Sequence, residues 1–160
     1  MRRSWSWRRV TYVGLDTHQE TIHAAVLIPG IEKVAEDQFA NTPETVRCRA
    51  RRVGKRAPGS VVCGYEAGPL GHGLMRELEV MGLPCMVVTP ALIPVRPGDR
   101  IKTDRRDARK LAELLREGLL KAVHPPTPEQ EAVRDLSLTH VAVETEQRIV
   151  RISGHHPTSE

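Results

Sequence analysis

The hydrophobic period of this chain switches between two and about 3.6 residues several times, and those switches restrict the fold more than any other feature. "RRVTYVGLDTH" alternates: Val10, Tyr12, Gly14 and Asp16 share one face, and Thr11, Val13, Leu15 and Thr17 share the other. That is a strand with polar residues at its end. "ETIHAAVLIPG" reads as a second strand closed by a Pro29-Gly30 turn, and "IEKVAEDQFAN" as a third. Short connections make the three an antiparallel meander.

From Asn41 the period lengthens. "NTPETVRCRARRVGKRAPG" places Thr42 as a cap, Pro43 at the first helical position and Glu44 in the first turn, with Pro58-Gly59 as the stop. "SVVCGYEAG" returns to a short apolar strand ending in Glu66. "PLGHGLMRELEVMG" repeats Leu70, Leu74, Leu78 and Met81 at helical spacing before Gly82. "LPCMVVTP" is another apolar strand, and "ALIPVRPGDR" a Pro-rich loop. "RIKTDRRDARKLAELLREG" is a helix capped at Thr103, "LLKAVHPP" an edge strand, and "TPEQEAVRDL" opens a further helix at Thr127. Apolar strands alternating with helices imply parallel pairing covered by helices. The expected architecture is an α/β mixed sheet of ribonuclease H-like type. Its first three strands are antiparallel, alternating helices and parallel strands follow, and the first and fourth strands are neighbours.

The chain has 160 residues, enough for one domain with a sizeable core. Aromatics make up only 3%, so that core rests on Val, Leu, Ile, Ala and Met. The three cysteines, Cys48, Cys63 and Cys85, form no CxxC pair and are odd in number. A disulfide framework or zinc cluster is not expected; reduced, buried thiols in a cytoplasm are. No apolar run approaches the ~20 residues of a membrane helix, so no membrane partner is expected. The net charge of +4 leans towards a polyanionic partner. The expected division is a basic tail over residues 1–9, a catalytic domain over 10–124, and a helical connector with a frayed end over 125–160.

The helix at Asp104 raises the main chemical question. Asp104, Asp107, Ala108, Leu111 and Leu115 lie on one stripe, with Arg105, Arg106, Arg109 and Glu113 on the other side. Aspartates at a helix start also complement its dipole, and that explanation stays open. On the stripe, however, the carboxylates face the protein body, where an unpaired charge is costly and calls for a cation. Asp16 and Glu66 end two strands expected to be adjacent. Four carboxylates at one sheet edge repel unless metal ions sit among them. An all-oxygen donor set suits Mg²⁺ or Mn²⁺. Two such ions ~4 Å apart can hold the attacking and leaving oxygens of a phosphoryl displacement.

"VGLDTH", "YEAG" and "KTDRRDARKLAELL", in this order and at these intervals, resemble the DEDD-type insertion-sequence transposases. These are relatives of the Piv pilin-gene invertase, and some are guided by a bridge RNA. The resemblance covers about residues 10 to 136. It implies a RuvC-like domain whose catalytic and metal-binding acids are Asp16, Glu66, Asp104 and Asp107. It also implies Mg²⁺-dependent DNA strand cleavage and exchange at element ends and target, a guide RNA in some members, and homo-oligomers. Family members carry a second domain with a serine implicated in strand chemistry. Nothing after Leu136 matches it, so the chain is expected to be the N-terminal part of such a transposase, incomplete in recombination.

Lys102, Arg105, Arg106, Arg109 and Lys110 surround the expected site and are candidates for binding nucleic-acid phosphates. "RCRARRVGKR" makes a second basic helix, read either as a solvated face or as a phosphate-binding one. His18 is either a polar loop residue or a group that assists proton transfer. Gly64 and Gly68, around Glu66, serve turn geometry and packing or leave room for a phosphate backbone. Trp5 and Trp7 lie among arginines outside the resemblance. Actin-like kinases share the sheet order, but "LDTHQET" has no glycine to cradle phosphates. A nucleic-acid-binding or dimerisation module without chemistry, and a Holliday-junction-resolvase-like nuclease, remain the alternatives.

Overall fold

Five strands form one mixed sheet in the computed structural model, which describes residues 9–68, 71–89, 93, 104–123, 127 and 130. The elements are β1 (Thr11–Thr17), β2 (Thr21–Leu27), β3 (Ala35–Ala40), α1 (Pro43–Arg56), β4 (Val61–Glu66), α2 (Gly73–Val80), β5 (Cys85–Val88) and α3 (Asp104–Glu117). The strand order is β3-β2-β1-β4-β5. β1 pairs antiparallel with β2 and β2 with β3, while β4 runs parallel to both β1 and β5. This is the ribonuclease H-like arrangement that the order of periods implied.

The two sheet faces are filled differently. Val13, Leu15, Ile22, Ala24, Cys63, Tyr65 and Val87 point to the face covered by α1 and α2, where Val46, Ala50, Met75 and Leu78 complete the core. Tyr12, Val62, Met86 and Val88 point to the opposite face, under Leu111, Leu114 and Leu115 of α3. Alternation along each strand thus sorts side chains into a three-layer α/β/α stack.

Local signals set the helix ends. Thr42 Oγ1 accepts the Thr45 N–H at 3.3 Å, with Pro43 next in line, and Ala57 closes α1 through a 2.9 Å bond to the Val53 carbonyl. Gly82 follows α2 with φ +78°, a left-handed conformation that side chains resist. The buried face of α2 is Met75 and Leu78; Leu74 and Met81 of the expected stripe are half-buried, and Leu70 lies outside the described residues. Thr103 also lies outside them.

One element is corrected. No strand forms over residues 119–123; a single bond, from the Val123 N–H to the Val87 carbonyl at 2.7 Å, fastens this segment to β5. One hydrogen bond is too little to make a ladder, and the apolar residues serve packing instead, with Leu120 buried beneath α3's cluster. The chain divides into two compact units, residues 1–124 and 125–160. In the second, the Thr127 N–H donates to Gln130 Oε1 at 2.9 Å and the Gln130 N–H to Thr127 Oγ1 at 3.3 Å. That reciprocal pair is a capping box, as the expected helix start requires. Among the described residues no helix is long and apolar enough to cross a membrane.

Candidate functional site

Strand register places the first two acids. Gly14 pairs with Gly64 and Leu15 with Tyr65 across the parallel β1–β4 ladder. One residue further along, Asp16 and Glu66 come level at the carboxyl ends of neighbouring strands. On the other side Asp16 faces His23 of β2, which faces Gln38 of β3, and Glu66 faces Val88 of β5. A polar row, Gln38-His23-Asp16-Glu66, therefore crosses the sheet on the face that carries α3. The Ala67 N–H bonds the Val88 carbonyl at 2.6 Å and holds the end of β4 in register.

The third acid is brought by α3, and two glycines allow its approach. A Cβ at Gly14 would lie 2.1 Å from the Ala108 carbonyl oxygen and 2.5 Å from the Ala112 nitrogen. A Cβ at Gly64 would lie 3.3 Å from Leu115 Cδ2. The helix thus crosses the sheet at the Gly14–Gly64 pair, with Ala108 clustered against Ala25 of β2 and Leu111 and Leu114 against Val88 of β5. Gly14 precedes Asp16 by two residues on the same face, about 6.6 Å along the strand. Asp107 immediately precedes Ala108.

Asp107 is half-buried, and its Oδ2 is fully buried with no hydrogen-bond partner. A carboxylate oxygen in that state loses its hydration and receives nothing in return. Such an orphan fits a site for a cation. Asp104 begins α3, one helical turn before Asp107; its side chain lies outside the described residues. Among the described residues, no three acidic, histidine or cysteine side chains are gathered closely enough to hold a metal ion.

Asp16 is already engaged. His18 Nε2 lies 3.2 Å from Asp16 Oδ2, and the His18 and His23 rings meet edge to face with centroids 6.3 Å apart. The turn that carries His18 is held from outside, since Asn41 Nδ2 donates to the His18 carbonyl at 2.8 Å. His18 is an exposed residue of the turn after β1 and also touches Asp16. His23 and Asn41 were not singled out in the sequence. The signal for His23 is its cross-strand partnership with Asp16, which alternation alone does not reveal.

The expected phosphate-binding cations are partly committed. Arg105 is hydrogen-bonded and ion-paired to Glu36 of β3, and Arg109 Nε pairs with Glu113 Oε1 at 3.1 Å. Both guanidiniums remain largely exposed, and exposed pairs of this kind exchange readily with water and other anions. Arg106 is exposed and Lys110 half-buried; Lys102 lies outside the described residues. Gly64 serves the close packing of α3, while nothing within 4 Å would meet a Cβ at Gly68.

Comparison with known proteins identifies the family. The model of the IS110-type DEDD family, described as "Transposase", matches residues 13–149. The putative transposase y4qE of Sinorhizobium fredii is 40% identical over 141 residues, covering 86% of this chain and 36% of that protein. The transposase for insertion sequence element IS1533 of Leptospira borgpetersenii is 37% identical over 131 residues, covering 80% of this chain and 37% of that protein. The chain therefore spans just over a third of the length of these relatives. Among solved structures, the large terminase nuclease from the thermophilic phage G20c matches 69% of this chain and 56% of that one at TM-score 0.37 and 15% identity. With a family match that runs from β1 through α3, this chain belongs to the IS110-type DEDD transposases.

Proposed function

We propose that this chain forms the metal-dependent strand-cleavage domain of an IS110-type transposase, acting on DNA at element ends and target. The observation that carries the reading is the buried, unpartnered Oδ2 of Asp107, on a helix pressed against β1 two residues from Asp16. Asp16, Glu66, Asp107 and Asp104 would hold the divalent ions, Mg²⁺ or Mn²⁺. Bound there, the ions would supply charge stabilisation to the attacking and leaving oxygens of a phosphoryl transfer.

The protein's own contributions follow from its rigid parts. β1 and β4 hold two carboxylates level through ladder hydrogen bonds, and α3 carries the others on a backbone that cannot slide past Gly14. His18, in contact with Asp16, restrains that carboxylate's rotamer. Arg106, Arg109 and Lys110 on α3 offset the charge of the acids against a polyanionic backbone.

Metal titration is the direct test. Mn²⁺ should raise the melting temperature of the wild-type chain, and Asp107→Asn should remove that rise while keeping the fold. A second reading, nucleic-acid binding without cutting, draws on the cations of α3 alone, with Arg106 exposed and Lys110 half-buried. It predicts no Mn²⁺ effect in either protein, with DNA binding intact.

A further inference from the structure

Helix α1 carries six basic residues and one acid, Glu44, which sits in its first turn. The tertiary structure divides the six into two groups. Arg47 leans to one edge and pairs with Glu77 of α2 at 2.9 Å. Arg49 leans to the other, pairing with Asp37 of β3 at 2.9 Å and lying 5.8 Å above the Phe39 ring. These two arginines dock the helix. Val46 and Ala50 face the core. What remains is the outer face, where Arg51, Arg52, Lys55 and Arg56 are all exposed and have no ion-pair or hydrogen-bond partner among the described residues.

Helical spacing makes this face self-repelling. Arg51 and Lys55 are four apart, Arg52 and Arg56 four apart, and Arg52 and Lys55 three apart, so each cation has like-charged neighbours on its own surface. A merely solvated helix face usually interleaves acids with its bases. Here none follows Glu44, so the repulsion persists until a polyanion arrives. Lys55 and Arg56 also stand in the last turn, where the helix dipole favours cations but takes up only part of the charge.

We infer that the outer face of α1 is a second DNA-binding surface, on the side of the sheet opposite the carboxylates, which holds duplex DNA through its phosphates without reading sequence. The inference rests on the proposed DNA substrate for the identity of the polyanion. No exposed aromatic stands among the four cations, so they offer charge and guanidinium hydrogen bonds and no platform for unstacked bases. Around the β2–β3 turn, Arg56 and Lys33 line the same shallow depression as Arg105 of α3, three cations against one acid, the Arg105 partner Glu36. The cationic surface of α1 therefore continues towards the carboxylate face, and one duplex segment passing the turn would touch both.

The test is the salt dependence of binding of the 160-residue chain to a random-sequence DNA duplex, by fluorescence anisotropy in EDTA. Chelation keeps the result independent of the metal site. Changing Arg51, Arg52, Lys55 and Arg56 together to Gln should reduce the slope of log K against log salt by up to ~3.6, about 0.9 for each phosphate no longer neutralised. Affinity near physiological salt should fall at least about tenfold. Replacing Arg51, Arg52 and Arg56 by Lys should retain the wild-type slope. The Gln variant should melt close to wild type, since the repulsion it sheds offsets the dipole interaction lost at Lys55 and Arg56; should it fail to fold, Arg51→Gln and Arg52→Gln singly should each lower the slope by ~0.9. An unchanged slope in folded Gln variants would overturn the inference. So would a duplex RNA of equal length binding tenfold more tightly than the DNA through these residues.

Discussion

Gly14 and Ala108 define the closest approach between the sheet and helix α3: a Cβ on Gly14 would stand 2.1 Å from the Ala108 carbonyl oxygen. Both obstructing atoms, that oxygen and the Ala112 nitrogen, belong to the helix backbone and have no rotamer by which to move aside. Gly14→Ala must therefore lift the helix or displace the strand. We expect a loss of about 3 kcal/mol in urea denaturation, together with the loss of any Mn²⁺-induced stabilisation. Gly64→Ala meets only the flexible tip of Leu115 and should cost about 1 kcal/mol. Equal stability of the two variants would show that α3 does not cross at Gly14.

Asp107→Asn separates the cost of the buried oxygen from its use. An amide is cheaper to bury than a carboxylate, so in EDTA the variant should be as stable as wild type or more so, by up to about 1 kcal/mol. A cation bound at a hundred times its dissociation constant stabilises by about 2.7 kcal/mol through mass action. That increment should be present in wild type with Mn²⁺ and missing in the variant. A thermal shift that survives in Asp107→Asn would remove this residue from the ligand set.

Thr11 is 1% exposed, and its hydroxyl has no partner. It lines a cavity of about 260 Å³ beneath α1, walled largely by Val, Ala and Leu. Thr11→Val keeps the branched shape and the strand preference while removing the orphan oxygen. The variant should gain about 1 kcal/mol in urea denaturation. A loss of similar size would mean that the hydroxyl is bonded to water inside the cavity.

Stability should fall at alkaline pH through the buried Cys63 thiol and the half-buried Cys85 thiol. Burial pushes the Cys63 thiol from 9.0 up to about 12, and pushes Cys85 up as well, with Cys63 and Glu79 adding to the effect. In the unfolded chain these groups ionise near 9, while in the folded protein they stay protonated. Their contribution is whole below pH 9 and is lost as pH rises from about 9 towards 12, because the unfolded state then binds fewer protons than the native one. The urea midpoint should drop over that range, and Cys63→Ala should flatten the dependence. At pH 8 a thiol reagent should modify exposed Cys48 quickly and the other two only after unfolding.

Much of the architecture was legible in advance, for reasons that are local. Period-two alternation in "TYVGLD" assigned Tyr12, Gly14 and Asp16 to one face, and Thr42 with Pro43 marked the start of α1. The shift from hairpin-linked strands to helix-separated ones indicated which pairs are antiparallel and which parallel. The misreading at residues 119–123 has the same origin: an apolar run near a sheet satisfies the strand pattern, but only a partner with free backbone groups makes a ladder. Gly64 was open to a ligand reading because a missing side chain says nothing about what approaches it; Leu115 does.

The sequence alone determined the strand and helix types, the placing of Asp16 and Glu66 at strand ends, and the stripe that carries Asp107, since each depends on periods and caps within a dozen residues. Only the tertiary structure decided that Gly14 admits α3, that His23 faces Asp16, that Asp107 Oδ2 is buried without a partner, and which four cations of α1 are left unpaired. Those relations join residues far apart in the chain. Cross-strand register and helix docking are set by the packing of whole faces, which no single segment encodes.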